Sequence, residues 1–376
     1  MRTNPVIVRG AIRWLAMVLA ALVVVVSCRP LPPAATLELS ASTQVAFPAS
    51  MTFKILARSD ADVVKLRLHY KVLRQNFAEV VSEAWPEFSP SRSIDTQWMW
   101  DMRRAGLPPG ARVQYWWTAE DAAGKRLETN PTEVAFDDGR YRWQSITVGA
   151  VTLLWYLGDR AFADTLMNAS QQALQRLERD TGAVPQRQVR IYIYGSAQEL
   201  QGALLFPQEW TGGVSFGEFD VIAIGVAPSN LGFGLRAVPH ELSHWIIGQM
   251  TFNNYGAGMP VWLDEGLATY GEGPATAGYD AMVENAARTG ILISVKSLSS
   301  PFSALPDQAL LSYAESRSIV AYLIQTYGRD KMDHLLDVFR EGSGFDDALK
   351  SVYGFDQVGL DVLWRVSIGA GVPVPR

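Results

Sequence analysis

His240-Glu241-Leu242-Ser243-His244 opens the stretch HELSHWIIGQMTFNNYGAGMPVWLDEGLATY (residues 240–270), and Glu265 follows His244 by twenty-one positions. Residues four apart share one face of an α-helix, so His240 and His244 can aim both imidazoles at one point. Two neutral imidazoles and a carboxylate form a ligand set that zinc accepts, with one coordination position left for water. Glu241 stands beside the first histidine, where it cannot join the ligands but can take a proton from that water. The chain holds only four histidines, His69, His240, His244 and His334, so chance is a poor account of this spacing. Pro239 predicts that the helix starts only about a turn before the motif, or is kinked there. Gly248 and the Asn253–Gly258 loop end it, and Pro260 opens a second helix carrying Trp262, Asp264, Glu265 and Leu267.

The same stretch resembles the gluzincin metallopeptidases. It is most similar to the bacterial peptidase MA-like group, and more distantly to thermolysin and the aminopeptidase N family. Those share HExxH followed, after a loop, by a helix bearing N-E-G or D-E-G. The resemblance implies His240, His244 and Glu265 as zinc ligands, one zinc per chain, and Glu241 as general base. It extends over roughly residues 150–365. Thermolysin-like enzymes carry an aspartate four residues after the third ligand; here that place is Thr269, so another group must brace the histidines. Glu272 lies two helical turns after Glu265 and is the candidate for supporting a ligand. Gly217-Glu218-Phe219-Asp220 stands where aminopeptidases have Gly-x-Met-Glu-Asn but lacks the Met and Asn, so exopeptidase activity is not supported. The resemblance also points to Tyr313, in Ser312-Tyr313-Ala314-Glu315-Ser316, as donor to the oxyanion. A phenol suits that task because it donates without carrying charge at neutral pH. His69 and His334 read as structural.

Length and composition set the frame. The chain has 376 residues, 48% hydrophobic and 19% charged, as expected of a globular protein of two or three domains. Its net charge of −5 argues against a nucleic-acid surface, which needs a basic stripe. Cys28 is the single cysteine, so no intramolecular disulfide forms. Arg2, Arg9 and Arg13 precede the apolar run Trp14–Val26, too short to span a bilayer comfortably and in keeping with a signal peptide. The ending Val25-Val26-Ser27-Cys28 resembles a bacterial lipobox. We therefore expect residues 1–27 to be a signal peptide and Cys28 to be lipidated. A Pro-rich tether over residues 28–36 would then anchor the protein on the outer side of the cell membrane.

Alternation at Thr36–Ser40, Met51–Leu56 and Val63–Tyr70 predicts strands, as does Val113–Thr118, with turns such as Ser59-Asp60 between them. The expected class is α+β. An antiparallel β-sandwich of immunoglobulin or fibronectin type III kind would occupy residues 37–138, and a metallopeptidase domain residues 139–376. That second domain should hold a helix over 159–180, strands at Val189–Tyr194 and Val221–Val226, a short helix at Ala197–Leu205 and a helical C-terminal part. Seven of the 12 tryptophans fall between Trp85 and Trp155. Trp98, Trp100, Trp116 and Trp117 are expected to pack a core rather than to stack on sugar. The expected function is a zinc endopeptidase acting on a peptide or protein substrate. The rival is a surface lipoprotein whose β-sandwich binds while the metallopeptidase fold is structural or inactive. Hydrolysis of a non-peptide amide is a third reading.

Overall fold

The computed structural model describes residues 36–204, 212–256, 258–274 and 278–371. The leader, Cys28 and the tether up to residue 35 lie outside the described residues. The N-terminal part contains β1 (Leu37–Ala46), β2 (Ser50–Leu73), β3 (Ser82–Ala84) and β4 (Ser91–Asp101). It continues with β5 (Ala111–Asp121), β6 (Arg126–Glu128) and β7 (Thr132–Phe136). All seven belong to one antiparallel hydrogen-bonded sheet rather than to two separate sheets. The reason is β2, which runs unbroken for 24 residues through the stretch where a turn was expected at Ser59-Asp60. Those polar residues are used differently: Asp60 accepts from the Thr36 backbone, and Ser59 donates to Asp121. The register of β2 slips between Arg58 and Val63 against β4, and between Val63 and Lys65 against β5. A bulge of this kind bends a strand. It also switches which side faces inward, from Met51, Phe53, Ile55 and Ala57 to Leu66 and Leu68. The sheet thus curls around one core that includes Trp117 and Tyr115.

A second, five-stranded sheet has the order β11-β12-β10-β9-β8, with β8 (Gln144–Val148), β9 (Val151–Trp155), β10 (Val189–Tyr194), β11 (Gly213–Phe216) and β12 (Val221–Gly225). β9, β10 and β12 are parallel, while β8 and β11 run antiparallel at the two edges. Period-two alternation divides its side chains between two cores. Ile191, Ile193, Ile222 and Ile224 join the helical core. Tyr192, Tyr194, Val221 and Ala223 join the core of the N-terminal sheet. Tyr194 donates to the buried carboxylate of Asp138, which also pairs with Arg140.

The helices are α1 (Arg160–Thr181), α2 (Ala197–Gln201), α3 (Leu231–Thr251), α4 (Val261–Gly271) and α5 (Tyr279–Thr289), followed by α6 (Val295–Leu298), α7 (Pro306–Tyr327), α8 (Arg329–Arg340), α9 (Phe345–Tyr353) and α10 (Gln357–Ser367). α1 matches the helix expected over 159–180: Asp159 caps its first turn and Gly182, left-handed at φ 79°, ends it. α3 departs from expectation because it begins at Leu231, two turns before Pro239. The proline removes one hydrogen bond, to the carbonyl of Leu235. Burial of Gly234, Val238, Leu242 and Trp245 continues at helical spacing across it, so tertiary packing carries the helix through. No helix among the described residues is long and apolar enough to cross a membrane.

Candidate metal centre

α3 presents His240 and His244 on one face, and α4 crosses it carrying Glu265. Two glycines permit the close crossings. A Cβ on Gly271 would lie 2.1 Å from Ser243 Oγ of α3, and one on Gly266 would lie 2.6 Å from the Ser316 carbonyl of α7. Neither distance is tolerable, so the glycine after Glu265 is a packing requirement that seats α4 against α7.

Three lone-pair atoms converge. His240 Nε2 lies 3.3 Å from His244 Nε2 and 3.3 Å from Glu265 Oε2, and His244 Nε2 lies 3.5 Å from the same oxygen. The edges of a tetrahedron around zinc, with bonds of about 2.0–2.1 Å, are about 3.3–3.4 Å long. The outer nitrogens are occupied: His240 Nδ1 meets Glu272 Oε1 and His244 Nδ1 meets Asp264 Oδ1, each at 3.0 Å. Donation from Nδ1 leaves each Nε2 as a bare acceptor facing the other two. Glu265 Oε2 is buried with no hydrogen-bond partner. A cation at the centre is the species that satisfies all three atoms, so these residues fit a divalent metal.

The field agrees. Burial opposes charge on His240, but Glu265 and Glu272 outweigh it and hold the imidazole up at about 9. His244 is likewise raised well above its usual value against burial, by Asp264 and Glu265. Burial would raise Glu265, yet the two imidazoles hold it down at about 2. Carboxylates that would keep protons on two partly buried rings attract a divalent cation for the same reason.

The site lines a cleft of about 860 Å³ together with Glu241, Tyr313, Tyr279, Arg236 and the strand β11. Glu241 is raised, chiefly by burial, and its carboxylate lies against Gly213 of β11, where a Cβ would come within 2.8 Å of Oε1. The Tyr313 ring stands 6.2 Å from that of His240, and burial pushes its phenol up. Glu272 sits where the spacing placed it. Thr269 donates back to the Glu265 carbonyl and takes no part. Asp220 is held by Arg187 and Trp245, and Glu218 by Arg74, so neither acid of the Gly217–Asp220 segment is directed at the histidines. His69 stacks on Trp116 in the first sheet, and His334 is exposed on α8. Sequence reasoning missed the bracing role of Asp264, although it precedes Glu265 directly. It also missed Tyr279 and Arg236, which have no local signature.

A helix pair presenting two imidazoles and a carboxylate beside an open cleft is an arrangement that could hold a metal ion. The chain belongs to the Peptidase MA superfamily, whose family model matches residues 169–370, more than half of its length. No curated protein sequence matches it. Among solved structures, a carbohydrate-binding module family 56 beta-1,3-glucan binding domain is 11% identical, with a TM-score of 0.17, covering 26% of this chain and 98% of that one. The sporulation control protein Spo0M from Bacillus subtilis is 8% identical, with a TM-score of 0.17, covering 36% and 54%. A polysaccharide deacetylase from Bacillus cereus is 14% identical, with a TM-score of 0.20, covering 44% and 53%. TM-scores this low carry no argument.

Proposed function

We propose that the protein is a zinc-dependent endopeptidase, held by a lipid on Cys28 at the outer side of the cell membrane. The observation that carries the reading is the buried, unpartnered oxygen of Glu265 facing two imidazole nitrogens whose other nitrogens are already engaged. His240, His244 and Glu265 would hold the metal, and zinc suits this donor set. When bound, zinc supplies Lewis acidity toward a carbonyl and lowers the pKa of water. The rest is the work of the chain. Glu241, raised by burial, accepts the proton of the attacking water and returns it to the leaving nitrogen. Tyr313 keeps its proton and donates to the oxygen that gains charge. Glu272 and Asp264 fix the ring orientations. β11 occupies the sheet edge beside Val221–Gly225, with its outer side on the cleft, and an extended substrate can add there as a further strand.

Metal content and hydrolysis test this together. Purified, unchelated protein is expected to carry one zinc per chain by elemental analysis and to cleave casein in a chelator-sensitive way. Glu241→Gln should keep its metal and lose at least about two orders of magnitude in turnover. Full activity in that variant removes Glu241 from the chemistry. Metal without hydrolysis in the wild type favours a structural module, and cleavage of peptidoglycan fragments instead of casein favours a non-peptide amide.

A further inference from the structure

The curled sheet carries a second concavity, of about 710 Å³, on the outward face of β2, β5 and β6 and walled by Trp85 beyond β3. Strand register builds its floor. Lys65 is opposite Glu120, Glu120 is opposite Arg126, and His69 is opposite Glu83. These neighbours bond across the strands: Lys65 and Arg126 both reach Glu120, at 3.0 and 2.8 Å, His69 reaches Glu83 at 3.2 Å, and Arg67 reaches the same carboxylate diagonally at 3.2 Å. The lining carries Lys65, Arg67 and Arg126 against Glu120 and Glu128, and Glu83, paired with Arg67 from outside the groove, offsets the third cation. On the wall, Trp85 is 63% exposed although it is large and apolar, with the Arg67 guanidinium 5.5 Å from its ring centre.

We propose that this groove binds a neutral polysaccharide, with one pyranose face on the Trp85 ring and hydroxyls on the ion-paired floor. Each part of the surface narrows the ligand. A polyanion or polycation meets no net field here. An apolar ligand would strip water from the five charged side chains of the lining without returning hydrogen bonds. A peptide added as a strand needs a free edge, whereas the floor segments Leu68–Tyr70 of β2 and Thr118–Glu120 of β5 are paired on both sides. Hydroxyl groups both donate and accept, so they can use the remaining valences of paired guanidinium and carboxylate groups without breaking the pairs. The flat C–H face of a pyranose is the apolar complement to an exposed indole.

The probes are dextran, β-1,3-glucan, mannan and chitin oligosaccharide, titrated into the full chain by tryptophan fluorescence and run in affinity electrophoresis at low and high salt. At least one should bind with little salt dependence. Trp85→Ala should weaken it by about tenfold, with melting temperature and zinc content unchanged, and Trp85→Phe should keep most of the affinity. Arg126→Ala, at a largely exposed position, should also weaken binding and serves as a second test should Trp85→Ala lose stability. Binding of none of the four, equal binding by both alanine variants, or salt-labile binding of heparin in preference to all four would overturn the proposal.

Discussion

At the scale of single residues, the groups behind the imidazoles matter as much as the three that converge. Glu272 is nearly buried against His240, whereas Asp264 is half exposed against His244. Alanine at either position should lower metal affinity by about 10–100-fold, more at Glu272, where water cannot replace the lost carboxylate as easily. Competition against a chelating dye measures this, and unchanged affinity in both variants would mean that the rings are oriented by something else. Glu315, buried on α7, offers a pH test. Burial pushes its carboxyl up to about 8, against the Ile293 N–H and the nearby Arg365. A raised carboxyl keeps its proton in the folded chain after the unfolded chain has lost it. Its stabilising contribution is therefore full below about pH 4.3, falls as pH rises to about 8, and is flat beyond. Glu315→Gln should flatten that fall, which is at most about 1.4 kcal/mol per pH unit, in urea unfolding followed from pH 5 to 9. Of these residues, Glu272 was legible from helical spacing. Glu315 was not, because its burial depends on α10 and on the segment before α6, both distant in sequence.

At the scale of elements, α4 is the piece the site depends on, and its position is set by what it lacks. Gly266→Ala forces a methyl group against the Ser316 backbone, which cannot step aside as a side chain can. It should cost about 1–3 kcal/mol in denaturant unfolding and weaken metal binding as Glu265 shifts. Stability and affinity both at wild-type values would show that α7 yields. The D-E-G sequence made this glycine visible, but its reason lies in α7, some fifty residues on. β2 and α3 teach the opposite lesson. Ser59-Asp60 and Pro239 are sound local stop signals, and both are overridden by tertiary structure: bonds to Thr36 and Asp121 for the strand, and burial of one face of α3 for the helix.

At the scale of the whole molecule, the two sheets are not independent. Tyr192, Tyr194, Val221 and Ala223 bury one face of the second sheet in the core of the first, while its other face supports the helices of the candidate metal centre. Residues 139–376 produced alone would expose that face, a continuous apolar patch prone to association. We expect that fragment to aggregate or to melt well below the full chain in a thermal scan. A soluble, metal-binding fragment with an unchanged melting temperature would refute this. The alternation Val189-Arg190-Ile191-Tyr192-Ile193-Tyr194 already announced a strand with two different sides, isoleucines on one and tyrosines on the other.

The sequence by itself determined the candidate donor set, the helix that pairs its two imidazoles, and the α+β order of strands followed by helices. Each of these rests on local spacing, and local spacing survives any packing. Tertiary structure alone decided that the N-terminal strands form one curled sheet, that Asp264 braces His244, and that β11 lies along Glu241. Those arrangements join residues far apart in the chain, through register and close approach, and no periodicity records them.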